Sequence, residues 1–409
     1  MRVTRSQLII GKTRKFLKTR IKGVDKRRQR IIPEIFLGIL ISGSTILAQM
    51  GRAVNKSAKR KIKSVENSFS GHLNSPAWSE GLLQENHLRL RGRQVKQDTL
   101  ILIDPSEVVK RYGRKMEYIA YVRDESDSDK PLRLGYWTFE SYALDGDKLF
   151  TLLNFPFSVE DPETLSFPGA VEGGIEKIIH ATGGRGIYIS DRAFDDRRYF
   201  EVYEENKAKF IIRLKKNRQV TDLDGILLGE VSEIATKLEY KHWFKKVTKQ
   251  TEELIGYTWL KVKVPECSGE FTLVICYHKG NQEEKYSCYL TNGIVIKSHD
   301  AERVVRRYMR REKIEEGIRL AKQECGLEDF LVQRFSAIKK LMAISYLAVD
   351  YILEYGEISR NMVIWFERLG QSFRKEVDFI YYRISMGLKS ALGGLKTREF
   401  KLITRGLTS

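Results

Sequence analysis

Acidic residues are almost absent from the start of this 409-residue chain, where Asp25 and Glu34 are the only two before Glu66 amid a dense run of Lys and Arg. Cysteine is scarce as well. Cys267, Cys276, Cys288 and Cys325 form no C-x-x-C pair and have no His at zinc-ligand spacing, which argues against a zinc module and a disulfide framework and suits reduced thiols. No apolar core with a small-residue cleavage site follows Met1-Arg-Val-Thr-Arg5, so a secretory signal is not expected. Long unbroken apolar runs are missing too. Ile31 to Met50 has about the length of a membrane span, but Pro33, Glu34, Gln49 and the Ser42-Gly43-Ser44-Thr45 centre interrupt it. It reads as two buried helices, roughly Pro33 to Ile41 and Ser44 to Asn55, joined at Ser-Gly-Ser, with Pro33 in a first turn and a Ser as cap. No membrane is expected as a partner.

What is present is an apolar fraction of 42%, which is that of a globular protein, and a formal charge of +19 with a pI near 9.6. Self-repulsion of that size calls for a polyanionic partner, with nucleic acid foremost. The cluster Lys56-Ser-Ala-Lys59-Arg60-Lys61-Ile-Lys63 extends the second helical pattern into a cationic one, and Lys59, Arg60 and Lys61 are candidate phosphate contacts.

The chain divides by pattern. Residues 1–94 read as a helical basic DNA-binding domain, 95–221 as the first part of an α/β catalytic core, and 222–296 as a β-rich insertion. Residues 297–355 return to the core with two helices, and 356–409 form a C-terminal helical region whose last twenty residues fray. Within the core the pattern predicts β-β-β-α-β-α-β, its first three strands an antiparallel meander.

Two acids, Asp104 after Thr99-Leu-Ile-Leu-Ile103 and Asp191 after Gly186-Ile-Tyr-Ile-Ser190, follow almost unbroken apolar runs. A carboxylate carried by a buried strand to the sheet's end is costly unless paired, and a divalent metal is one way to compensate it. A third acid, Glu315, sits on a predicted helix. At about 100° per residue, Tyr308, Arg311, Glu315 and Lys322 fall on one stripe, an acid among cations. That combination suits a metal ligand flanked by phosphate grips.

The spacing Tyr308-(2)-Arg311-(3)-Glu315-(6)-Lys322 resembles the Y-(2)-R-(3)-E-(6)-K signature of bacterial insertion-sequence transposases of the DDE class. Asp191-Arg192-Ala193-Phe194 resembles that family's second-acid setting, and Tyr289-Leu-Thr-Asn292 its approach to the signature helix. The resemblance covers roughly residues 35–350. It implies an RNase H-like mixed-sheet core with a β-rich insertion, in which Asp104, Asp191 and Glu315 hold two Mg²⁺ ions, or Mn²⁺ in their place. It implies cleavage at the ends of a mobile element and joining of the 3′-hydroxyl to target DNA, with Tyr308, Arg311 and Lys322 gripping DNA. The implied partners are double-stranded transposon ends and target and a second copy of the chain on DNA; the implied location is the bacterial cytoplasm, at the nucleoid. In some relatives an insertion Trp stacks on an extruded base, for which Trp243 and Trp259 are the candidates here. The alternatives are a metal-dependent nuclease of the same fold without strand transfer and a catalytically inactive DNA-binding descendant.

Overall fold

The computed structural model describes residues 5–56, 60–125, 127–247, 252–280, 285–355 and 380–405. Five helices open the chain: α1 (Arg5–Arg20), α2 (Arg28–Ser42), α3 (Leu47–Val54), α4 (Ile62–Leu73) and α5 (Gly81–Gly92). Helix α2 starts more than a turn before Pro33, which sits inside it rather than in a first turn. It is apolar on almost every side, and a helix of that kind must be covered on every side. Its span-like composition is met by protein: α2 packs on α3, α11 (Phe335–Tyr355), α12 (Ile380–Gly393) and α13 (Thr397–Arg405). No single helix among the described residues is long and apolar enough to cross a membrane, and α2 with α3 forms a pair bent by 95°. The bend falls at Gly43, whose φ of 66° lies in the left-handed region that a side chain disfavours. Ser44 Oγ then accepts from Ile46 N–H at the start of α3.

The strands begin with β1 (Leu100–Val109), β2 (Ala120–Arg123), β3 (Leu132–Asp145), β4 (Lys148–Thr151) and β5 (Phe155–Phe157). Helix α6 (Phe167–Thr182), β6 (Ile187–Ser190), a 3₁₀ turn at Arg192–Phe194, α7 (Arg197–Glu205) and β7 (Lys209–Arg213) follow. Next come β8 (Gln219–Thr221), β9 (Leu227–Glu230), α8 (Val231–Lys237), β10 (His242–Val247), β11 (Glu252–Lys263), β12 (Glu270–Lys279) and β13 (Tyr286–Thr291). Helix α9 (Ser298–Met309), a 3₁₀ turn at Arg310–Glu312 and α10 (Lys313–Glu324) lead to α11.

All thirteen described strands join one mixed sheet, in the order β2-β3-β1-β6-β7-β13-β12-β11-β8-β9, with β4 and β5 on β3 and β10 on β11. The fold is α/β with a large mixed sheet. The first three strands are antiparallel but not a meander, because β3 inserts between β1 and β2. Its length allows this: fourteen residues pair with β1 along most of one edge and still reach β2, β4 and β5 on the other. Strands β8 to β13 continue the core sheet through the pairing of β13 with β7.

Alternation along the strands sends Leu100, Leu102, Ile187 and Ile189 to one face, beneath α9 to α11, and Ile101, Ile103 and Tyr188 to the other, beneath α6 and α7. The first face shares its apolar cluster with the opening helices and with α12 and α13. Phe400 and Ile403 of α13 are buried there, so this part of the last twenty residues is a packed helix rather than a frayed end.

A buried ion cluster ties these layers together. Asp350 of α11 accepts from Arg20 of α1 at 3.0 Å, from Arg91 of α5 at 2.7 Å and from Thr151 N–H of β4 at 3.2 Å. His87 lies beside them, accepting from Arg20 Nε at 3.2 Å, and burial pulls its ring down to about 3, so it stays neutral.

Candidate active site

Strand register brings the two aspartates together. Parallel β1 and β6 pair Leu100 with Ile187 and Leu102 with Ile189, and the same offset carries Asp104 level with Asp191. Both have the parity of the residues facing α9 to α11, and adjacent strands lie only about 4.8 Å apart. Asp104 does not end its strand as the apolar run suggested, since β1 continues through it to Val109 by pairing with the long β3. That pairing sets Glu140 directly across from Asp104, and Asp191 follows the last residue of β6 on the other side of β1, so three acids come to one region of the sheet. Glu140 is fully buried and accepts from Tyr346 Oη and from Asn154 Nδ2 at 2.6 Å. Burial pushes it up to about 7, with those bonds opposing.

Beyond β6 the Asp-Arg-x-Phe run makes a 3₁₀ turn. Asp191 Oδ1 accepts from Ala193 N–H at 2.8 Å, and Phe194 is buried against Tyr199 with ring centroids 4.9 Å apart. One Asp191 oxygen is spent on the turn and the other is left for the cleft.

Helix α10 brings the third acid. Gly317 explains its close seat, because a Cβ there would lie 2.5 Å from the ring of Tyr142 on β3. A glycine inside a helix costs about 1 kcal/mol relative to alanine, and here it lets the helix carrying Glu315 lie on the strand carrying Glu140. The signature is not one continuous α-helical stripe. The 3₁₀ turn at Arg310–Glu312 separates α9 from α10 and winds its residues more tightly. Tyr308 belongs to the inward face of α9, with Ala301, Val304 and Val305, and is 8% exposed and 4.4 Å ring to ring from Tyr289. Burial raises its hydroxyl, with Arg311 and Arg213 opposing. The Tyr289-Leu-Thr-Asn292 run thus has a packing role, since Asn292 also joins the strand end to Phe210 N–H at 3.0 Å.

Asp104, Asp191, Glu315 and Lys322 line one cleft of about 680 Å³, together with Glu107 and a wall of Trp137, Phe167 and Tyr199. Arg311 Nη1 donates to Asp104 Oδ2 at 2.8 Å, and its Nη2 stands 4.0 Å from Glu315 Oε1. Burial pushes the Asp104 carboxyl up to about 6, Arg311 pulls against that, and the charges of Asp191 and Glu315 push it further up. Lys322 bridges Glu107 at 3.1 Å and Glu328 at 3.3 Å, and these acids hold its ammonium above the ordinary value although burial opposes them.

Among the described residues, no group of three or more His, Cys, Asp or Glu side chains is arranged to hold a metal ion. As a donor set Asp104, Asp191 and Glu315 suit a hard divalent cation, being all carboxylate oxygen without thiol or imidazole.

The N-terminal candidates lie elsewhere. Lys59 is outside the described residues; Arg60 donates to Glu34 at 3.3 Å, and Lys61 is exposed at the start of α4. The basic cluster does not extend α3, which stops at Val54; of its described cations, Arg60 and Lys61 precede α4 and Lys63 lies in the first turn of α4. Neither Trp243 nor Trp259 lines the cleft. Sequence reading passed over Glu107, Glu140, Trp137 and Gly317. Only Gly317 carried a local signal, a glycine in the middle of a helix.

Comparison with known proteins bears on this cleft. Residues 172–350 match the family model described as a transposase DDE domain. The matched segment contains Asp191 and Glu315, and Asp104 precedes it; the match supports a DNA transposase and, with it, a DNA-cleaving enzyme. A search of proteins of curated function finds no match. Among solved structures, a piggyBac transposase synaptic complex with hairpin DNA, determined by cryo-EM, aligns at 11% identity over 96% of this chain and 78% of that one, with a TM-score of 0.43.

Proposed function

We propose that this chain is a DDE-class transposase on an RNase H-like core, which cuts at the ends of its element and joins the 3′-hydroxyl to target DNA. One observation carries the reading: Asp104, Asp191 and Glu315, distant in sequence, line one cleft with Lys322. These three carboxylates would hold two Mg²⁺ ions, with Mn²⁺ as a substitute. When bound, such ions supply Lewis-acid activation of the attacking oxygen and stabilisation of the leaving oxygen.

The chain's own residues supply the rest. Arg311, now spent on Asp104, has a planar fork suited to two phosphate oxygens, and Lys322 offers a point charge held in place by Glu107 and Glu328. Tyr308 acts from behind, its ring fixing the start of the signature segment against Tyr289. Residues 1–94, with Lys59, Arg60 and Lys61, form the DNA-gripping domain and 222–296 the insertion; of the expected C-terminal helical region at 356–409, residues 356–379 lie outside those described; a homodimer on DNA holds two ends.

Glu315→Gln tests this. Nicking of DNA carrying the sequences that flank the chain's own gene should fall by more than about a hundredfold while duplex binding stays within about twofold. Undiminished nicking would sink the assignment, and cleavage without joined product in the wild-type chain would favour a nuclease instead.

A further inference from the structure

Strand β1 runs past the acid cleft into the loop Lys110-Arg-Tyr-Gly-Arg-Lys-Met-Glu-Tyr118, which is clamped at both ends. At its base Lys110 is buried, donating to the carbonyls of Glu328 at 2.6 Å and Phe330 at 2.5 Å, with its ammonium 4.1 Å from the Phe330 ring centroid. Glu328 also pairs with Lys322 on the cleft wall, so the loop base and the cleft share one support. At the far end Glu117 N–H donates to Gln333 O at 2.9 Å, and Glu117 Oε2 accepts from Phe335 N–H at 2.7 Å. Two turns close the middle, with Gly113 N–H on Lys110 O and Met116 N–H on Gly113 O, each at 2.8 Å.

This rigid frame presents an unusual tip. Tyr112 is 98% exposed, and Arg111, Arg114 and Lys115 are its near neighbours along the loop. Arg111 lies 3.7 Å from Asp124, whereas Arg114 and Lys115 have no ion-pair partner among the described residues. A bare aromatic ring with two unpaired cations two and three residues on, on a loop that continues the strand bearing Asp104, has the chemistry of a nucleic-acid contact. Its exposure leaves it no packing role in the fold.

We infer that this loop is a second DNA contact, in which Tyr112 enters between base steps of the duplex leaving the cleft while Arg114 and Lys115 take the flanking phosphates. It rests on the transposase reading. The place follows from strand geometry: at about 3.3 Å per residue from Asp104 to Val109, and the turn beyond, the tip stands roughly 17–24 Å from Asp104. At 3.4 Å per step along a DNA strand this is roughly five to seven steps from the cut. A side chain wedged there unstacks and kinks the duplex.

The test uses the full-length chain and a duplex spanning the nick that the wild-type chain makes, with 2-aminopurine placed at successive steps from that nick. Fluorescence should rise at five to seven steps with the wild-type chain and with Tyr112→Trp, and stay flat with Tyr112→Ala, whose affinity falls roughly tenfold. Arg114→Ala/Lys115→Ala should lower the slope of log affinity against log salt by roughly two. Melting temperatures should not move, since the tip is exposed. Wild-type fluorescence and salt slope in all variants would overturn the inference, leave the transposase reading standing, and point to a protein partner for the loop. A wild-type chain that neither binds nor nicks duplex DNA would overturn both.

Discussion

Asp350 and Asp104 both reach into the layer between the sheet and the helices α9 to α11, and their surroundings differ in kind. Asp350 has no exposed side-chain surface and meets Arg20, Arg91 and a backbone N–H. Burial alone would raise its carboxyl, yet Arg91 and Arg20 outweigh that and hold it well below the usual carboxylate range. Asp104 has one arginine against the charges of Asp191 and Glu315, and its carboxyl is pushed up to about 6. A structural acid is saturated with positive charge from the chain. The candidate functional acids are left short of it, and a bound cation would make up the difference.

The contrast can be broken by experiment. Asp350→Ala should destabilise the fold by about 3–5 kcal/mol at neutral pH, because Arg20 and Arg91 would remain buried without their carboxylate. Urea unfolding measures this, and a loss below 1 kcal/mol would mean the cluster is no lock. The sign in pH follows from a depressed carboxylate: its stabilisation is complete above its unfolded value near 4 and fades as acid protonates it, so wild type and variant should converge in acid. Glu315→Gln should do the reverse of Asp350→Ala, abolishing nicking while moving stability by less than about 0.5 kcal/mol, since its side chain is 60% exposed.

Gly317→Ala should cost about 1–3 kcal/mol by pushing α10 off Tyr142, with nicking impaired more than binding. Normal nicking in that variant would show that the helix seat is not critical. Asp104→Asn should raise stability by about 1–2 kcal/mol at pH 7 to 8, a small gain from removing an undercompensated charge. A raised carboxylate destabilises only where it is ionised, so the gain should shrink as pH falls through 6 and vanish below about 4. Thermal melting across that range checks it, and a loss of stability at pH 8 would mean that Arg311 alone compensates Asp104.

Much of the element order was legible in the sequence. The apolar runs before Asp104 and Asp191 are β1 and β6, and the three- and four-residue spacing through Ile338 and Leu347 is α11. Where reading failed, a nonlocal partner decided. The end of β1 moved past Asp104 because β3 is long enough to pair with it, and α2 took in Pro33 because neighbouring helices cover it. The predicted stripe from Tyr308 to Lys322 was interrupted by a 3₁₀ turn that periodicity does not reveal. Glu140 looked like any strand acid until its partner across the sheet proved to be Asp104.

By itself the sequence determined the inventory: a strongly cationic surface, two acids behind apolar runs, and a Tyr, Arg, Glu and Lys at fixed spacing. These follow from residue type and local periodicity, which act over a few positions. Only the tertiary structure decided which charges meet. Strand register set Asp104 beside Asp191 and Glu140, the missing side chain of Gly317 let Glu315 approach, and α1 and α5 brought two arginines to Asp350 and none to the cleft. Coulomb energy depends on distance and burial, and neither exists until the chain has closed on itself.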